Sequence, residues 1–243
     1  MLNSNEHLEP LGSGYKIIVS DIHHFNTDTI LLADFAGSKS SKNAVELGAG
    51  CGTISVLLKK NKKAESVTAV EIQPDACDML ARTVSLNSIE GLTVLNADLN
   101  LLKGRLPFGF FDLAICNPPY KETGTGLKNP LPGKMTARHE TSCTMEDVIS
   151  CAGKLLNFGG RFCMCQRTER LTDAMYLMRD CGLEPKRLRL VQQRQGKPPK
   201  LFLLEGRRGG RRGFMTVEPT LMIEAPDGDF SEEMLRIYGD YKQ

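Results

Sequence analysis

The residues with the most pointed chemistry lie in CNPPYKETG, residues 116–124, where Asn117, Pro118, Pro119 and Tyr120 follow the apolar run 110–116. An exocyclic amine on a base, or a glutamine amide, is a poor nucleophile because its lone pair is delocalised into a π system. Two acceptors aimed at its two N–H bonds favour a pyramidal nitrogen and direct the lone pair outward. The Asn117 side-chain oxygen can supply one acceptor, and the Pro118 carbonyl can supply the other. Neither proline has an N–H, and a residue that precedes proline is biased towards extended geometry, so the pair limits how that carbonyl turns. That rigidity is the preorganisation a positioned acceptor needs. Tyr120 adds a face on which a planar group can stack, a contact worth roughly 1–3 kcal/mol for a base. The plainer alternative is a double-proline strand stop beside a bystander asparagine.

Three further groups fall at ends of expected strands. ELGAGCG, residues 46–52, has glycines at 48, 50 and 52 and Thr53 next, so the third glycine of a dinucleotide fingerprint is absent. Glycines there let the backbone pass close beneath a ligand, and a following helix offers N–H groups to an anion. Glu71 ends a second strand, 19 residues beyond Gly52, where a carboxylate can accept both hydroxyls of a ribose. Asp98 follows a third strand, where it can accept an adenine amino group or cap the short turn LNLL. Adenosine and an amino-acid end, with no pyrophosphate to cradle, together suit S-adenosylmethionine. Because its methyl is already activated by a positive sulfur, alignment with the attacking atom should supply most of the catalysis.

The elements that must position these groups alternate. YKIIV (15–19) reads as a strand and DTILLADFA as a helix capped by Thr27 or Asp28. AVEL (44–47), SVTAVE (66–71), LTVLNA (92–97) and FFDLAICN (110–117) read as strands, with helices through TISVLLKK and, after Pro74, DACDMLARTVSLN. TMEDVISCAGKLL is a helix opened by Thr144 and closed by Gly159-Gly160; RFCMCQ is a strand and LTDAMYLMRDCG a helix. RLRLVQQ and KLFLLEG are two last strands, close enough to form an antiparallel hairpin. This pattern predicts an α/β fold: a doubly wound, seven-stranded, Rossmann-like sheet, mostly parallel. A single domain is expected over 1–243, with 1–40 forming a strand and a helix that closes over the ligand and 41–243 the core.

At 243 residues, 41% hydrophobic and 25% charged, the composition is that of a globular chain able to bury a core without staples. No apolar run is long enough to span a bilayer, and the start lacks a signal-peptide pattern, so a cytoplasmic location and no membrane partner are expected. Eight cysteines without a C-x-x-C pair argue against a metal site or a disulfide framework and read as small buried hydrophobes. The net charge of +2 hides an asymmetry: residues 161–212 hold 14 Lys and Arg against 5 Asp and Glu, leaving 17 against 24 elsewhere. A basic carboxyl half suits a polyanionic partner, or simply a well-solvated surface.

The arrangement resembles class I S-adenosylmethionine-dependent methyltransferases, with Glu46, Gly48, Gly50 and Gly52 matching the first motif, Glu71 the second and Asp98 the third. The family usually has Asp at the position of Glu46. NPPY resembles the motif of amino-directed members, acting on adenine N6, guanine N2, cytosine N4 or glutamine N5. HFNTDTILLADF resembles the segment that closes over the methionine end, through Thr27 and Asp28. The resemblance implies a cofactor site of Thr27, Asp28, Glu46, Gly48, Ala49, Gly50, Gly52, Glu71, Ile72, Asp98, Leu99 and Asn117. It implies catalysis by Asn117, Pro118, Pro119 and Tyr120, and substrate contacts at Tyr120, Arg138 and His139. NPPY, ARHE (137–140), LLNFGGRF, EPKRLRLV and LRIYG together resemble the bacterial enzymes that methylate adenine 37 of valine tRNA at N6. That likeness implies tRNA, through its anticodon loop, as substrate; no metal is expected, and the sequence leaves the oligomeric state open with a monomer slightly favoured. Glutamine N5 methylation of a release factor, guanine N2 methylation of ribosomal RNA, DNA adenine methylation and a non-enzymatic RNA-binding module stay open as alternatives.

Overall fold

The computed structural model describes residues 2–118 and 143–241. In chain order the elements are β1 (Glu6–Gly12), β2 (Tyr15–Ser20), α1 (Thr27–Ala36), β3 (Ser41–Leu47), α2 (Thr53–Lys60), β4 (Ala64–Glu71), α3 (Pro74–Leu86), β5 (Leu92–Asn96) and β6 (Phe111–Cys116). They continue with α4 (Met145–Leu155), β7 (Leu156–Arg167), α5 (Leu171–Asp180), β8 (Leu183–Gln192), β9 (Leu201–Arg208), β10 (Thr216–Val217), β11 (Leu221–Met222) and α6 (Glu232–Tyr238).

The main sheet runs β10-β8-β9-β7-β6-β3-β4-β5, with β11 beside β8. Its seven long strands, β3 to β9, are those expected; the two-residue β10 and β11 add short edges parallel to β8. β5-β4-β3-β6-β7 are parallel, and β9 turns antiparallel between β7 and β8. The strand order reverses between β3 and β6, so the carboxyl ends of those two strands flank the crevice where such sheets place a ligand. Apolar side chains from opposite faces of the strands fill two layers. Val45 and Leu47 join one with α4 and α5, while Ala44, Val67 and Leu113 join the other with α1 to α3.

Two features differ from the sequence expectation. Gly159 and Gly160 do not end a helix. α4 gives way directly to an extended Leu156, and the glycines form a bulge inside β7 between the pairs Phe111–Leu156 and Leu113–Arg161. Gly159 has φ +83°, which allows that bulge with no Cβ penalty. The strand at 15–19 is half of a separate hairpin, β1–β2, docked on α3. There Asn87 replaces a missing neighbour strand: its Oδ1 accepts from Lys16 N at 2.9 Å and its Nδ2 donates to Lys16 O at 2.7 Å. Arg82 clamps Glu6 through two donors at 2.6 and 2.7 Å.

Candidate active site

The loop after β3 is built around positive φ: Gly48 +70°, Gly50 +53° and Gly52 +83°. Only glycine takes this region freely. A Cβ on Gly48 or Gly50 would meet nothing within 4 Å, whereas one on Gly52 would lie 2.2 Å from Leu80 Cδ1. Gly52 is therefore demanded by packing on α3, while the first two glycines keep open space above the loop. The loop amides hold the loop itself: Gly48 N and Ala49 N donate to Val70 O at 2.9 and 3.0 Å, and Gly52 N to Ala49 O at 2.8 Å.

Glu71, 4% exposed, braces the loop from the end of β4. Its Oε2 accepts from Gly50 N at 2.7 Å and its Oε1 from Gln73 N at 2.9 Å. Each carboxylate oxygen keeps a further lone pair for a hydroxyl. Glu46 lies beneath the loop. Its Oε2 accepts from Ser55 N at 2.9 Å and from the Ser55 hydroxyl, so it caps α2, whose own N-cap, Gly52, has no side chain to do so. Burial pushes the Glu46 carboxyl up to about 8, against the pull of Ser55 and with a further rise from the nearby Glu71 charge. With Ser55 N engaged, the first-turn amides of Thr53 and Ile54 remain for an anion.

Past β5, Asp98 Oδ1 accepts from Asn100 N at 2.8 Å and caps a one-turn 3-10 helix, Leu99–Leu101, in which Leu99 is half-buried. Ile72 stands 36% exposed beside Glu71, an apolar wall for a planar ring. Asn96, which no sequence motif singles out, ties these ends together: its Nδ2 donates to Glu71 O and to Ile72 O, both at 2.9 Å.

Asn117 emerges half-buried from β6, followed by a buried Pro118. Its Nδ2 donates to Thr29 Oγ1 at 3.2 Å. Thr29 Oγ1 in turn donates to Asn26 Oδ1 at 3.1 Å, and Asn26 also caps α1 through Thr29 N at 3.2 Å. With its proton given to Asn26, the Thr29 hydroxyl is an acceptor towards Asn117, so the Asn117 amide hydrogens face α1 and its carbonyl oxygen faces away. Thr27 Oγ1 meets the Tyr238 hydroxyl at 2.9 Å, which pins the start of α1 to α6, and Asp28 lies in the same first turn. α1 is capped by Asn26, an ordinary N-cap residue one position before the expected Thr27 or Asp28, whereas the links from Thr29 to Asn117 and from Thr27 to Tyr238 carry no local signal, because those partners are distant in sequence. Pro119, Tyr120, Arg138 and His139 lie outside the described residues.

The cysteines offer no reactive thiol among the described residues. Six of the eight are buried, and burial pushes Cys51 up to about 11, Cys163 up to about 12 and Cys116 well above the ordinary range. No group of three or more His, Cys, Asp or Glu among the described residues could hold a metal ion.

A parallel sheet reversing beside a glycine loop, a carboxylate at the second strand end and an asparagine at the fourth define the Rossmann-like methyltransferase class. The model of the methyltransferase small domain family matches residues 23–177, and the chain belongs to that family. Among the curated proteins it is similar to are several named tRNA1(Val) (adenine(37)-N6)-methyltransferase. The one from a Flavobacteriaceae bacterium is 29% identical over 59% of each chain, and that from Pedobacter heparinus 32% identical over 56% of this chain and 57% of the relative. The alignments thus span less than two thirds of these two relatives. The one from Porphyromonas gingivalis is 27% identical over 87% of this chain and 85% of the relative. Solved structures share the fold. A predicted O-methyltransferase from Agrobacterium tumefaciens has TM-score 0.69 at 21% identity, over 88% of this chain and 97% of that one. The M. jannaschii TYW2 in complex with AdoMet has TM-score 0.60 at 14% identity, over 85% and 87%.

Proposed function

We propose that the chain works as one methyltransferase domain that moves the methyl group of S-adenosylmethionine to N6 of an adenine in tRNA, adenine 37 of valine tRNA. The observation that carries the reaction type is the oriented Asn117 amide at the end of β6, one strand from the glycine loop. The site fits the cofactor. A Cβ-free cradle lies over Gly48 and Gly50, the Glu71 carboxylate has lone pairs left for ribose hydroxyls, and Ile72, Asp98 and Leu99 line the next strand end. Thr27 and Asp28 close it from α1. Glu46 acts on the cofactor by holding the start of α2.

Bound S-adenosylmethionine supplies a methyl group already activated by a positive sulfur. Asn117 Oδ1 and the Pro118 carbonyl accept the two N–H bonds of the target amine and turn its lone pair to that methyl. Pro119 stiffens the turn and Tyr120 stacks the base, with Arg138 and His139 meeting the nucleic acid. As the N–CH3 bond formed, the S–CH3 bond would break to leave S-adenosylhomocysteine, and the nitrogen would shed one proton to solvent, so no strong base is required. The tRNA assignment is supported by the curated names of the similar proteins. A base in the anticodon loop can be splayed into such a site without melting a duplex.

The test is transfer of labelled methyl groups to unmodified tRNA, ribosomal RNA and release factor. Incorporation at N6 of tRNA adenine is expected, reduced at least about a hundredfold by Asn117→Ala, as for loss of one oriented polar group in a reacting site. Unchanged transfer by that variant overturns the mechanism. Labelling of release factor alone overturns the substrate.

A further inference from the structure

The strand directions sort the basic carboxyl half onto two opposite edges of the sheet. β6 and β7 run parallel, so Asn117 and Arg167 leave at one edge. β9 is antiparallel to β7 with Leu201 opposite Arg167, and β8 is antiparallel to β9 with Val191 opposite Leu201. The turn between them, QRQGKPPK (193–200), therefore stands at the same edge as Asn117. The arginine-rich GRRGGRRG (206–213) follows the other end of β9, where Arg208 pairs with Leu183. At about 3.3 Å per residue the two edges are about 23 Å apart.

Pairing separates the cations of the strands from those of both edges; Arg211 and Arg212 at the far edge are exposed like the turn cations, so what distinguishes the turn is its place beside Asn117. Around the strands, Arg161 and Arg187 meet the buried Glu205 at 3.2 and 2.9 Å, and Arg189 meets Glu233 at 2.6 Å. These are structural pairs. At the far edge Lys186 donates to the carbonyls of Arg211 and Gly213, and Arg207 to Gly159 O at 3.1 Å. Arg194, Lys197 and Lys200 in the site-side turn are all exposed and pair with no carboxylate among the described residues. No acidic residue occurs between Val191 and Glu205.

The turn is also held in place. Lys200 N donates to Val191 O and Thr168 N to Lys200 O, both at 3.1 Å, and the Thr168 hydroxyl to Pro199 O at 3.1 Å. Pro198 and Pro199 further restrict it. Its outer flank, beyond β11, is acidic through Glu224, Asp227 and Asp229, whereas on its inner flank, towards β6, the segment 167–170 sets Arg167 and Arg170 against one carboxylate, Glu169. Two to three strand spacings of about 4.8 Å put the turn roughly 10–14 Å from β6.

We infer that the β8–β9 turn is the docking surface for the phosphate backbone of the RNA whose base enters the Asn117 site, with Arg194, Lys197 and Lys200 meeting phosphates. This rests on RNA being the substrate. GRRGGRRG, on the far edge, does not hold the reacting stem-loop.

The test uses the full chain and an unmodified anticodon stem-loop, with binding followed by fluorescence anisotropy over a salt series and methyl transfer measured separately. Replacing Arg194, Lys197 and Lys200 together by Ala should weaken binding at least about tenfold and reduce the salt slope by about one for each phosphate that is no longer neutralised. KM for the RNA should rise while kcat, cofactor affinity and melting temperature stay as in the unaltered chain. The same change at Arg208, Arg211 and Arg212 should alter binding less than about twofold. Wild-type binding by the first variant, or the loss falling on the second, overturns the docking surface. RNA binding that depends on the turn but brings no methyl transfer would support the surface and overturn the proposed reaction, which separates the two failures.

Discussion

Asn117 Nδ2 and Thr29 Oγ1, 88 residues apart, meet at 3.2 Å, and the Thr29 proton is already given to Asn26. The direction of this chain of hydrogen bonds settles which way the Asn117 amide faces. A flipped amide would point two N–H donors at an incoming amine and remove the acceptor on which the proposed reaction depends.

Thr29→Val keeps the shape and removes the acceptor. We expect kcat to fall about tenfold, the effect of about 1.4 kcal/mol in the transition state, with KM for the cofactor nearly unchanged. Thr29→Ser should restore the rate. A Val variant with normal kcat, or a Ser variant as slow as Val, would show that Thr29 does not orient Asn117.

Glu71→Ala removes the acceptor of Gly50 N and Gln73 N together with the proposed ribose contact. Hydrogen bonds to a charged group contribute about 1.5–3 kcal/mol each, so cofactor affinity measured by calorimetry should drop at least about tenfold. Affinity within about twofold of the unaltered chain would count against a ribose role.

Glu46 makes a prediction in pH. Burial raises its carboxyl from 4.5 to about 8, so between those values the folded chain holds a proton that the unfolded chain has released. Stability from this group is full at the acidic end of that window and is lost as pH rises through it. Glu46→Gln cannot titrate but can still accept from Ser55. The melting temperature of the unaltered chain, measured against Glu46→Gln, should therefore decline between about pH 5 and pH 8. A constant difference would refute the buried, proton-holding carboxyl.

Much of the fold is legible locally. The apolar strands 44–47, 66–71, 92–97 and 110–117 and the helices between them follow from periodicity and breakers, and the structure has them within a few residues. The same local chemistry marks the glycines of 48–52 and the carboxylates ending their strands. Local signals mislead where they serve a distant partner. Gly159-Gly160 looks like a helix stop, but pairing with β6 makes it a bulge. Asp98, by contrast, caps its own turn through one oxygen, a local role that spacing offered beside a ligand contact.

The sequence by itself determined the alternation of elements, the glycine loop and the end of β6 at Asn117, because backbone preference and apolar periodicity act over a few residues. The tertiary structure decided which way the Asn117 amide faces, that Glu46 caps α2, and which basic residues share an edge with the site. Those outcomes depend on strand order and direction, set by burying both faces of one sheet. A count of charges along the chain carries no information about which edge they reach.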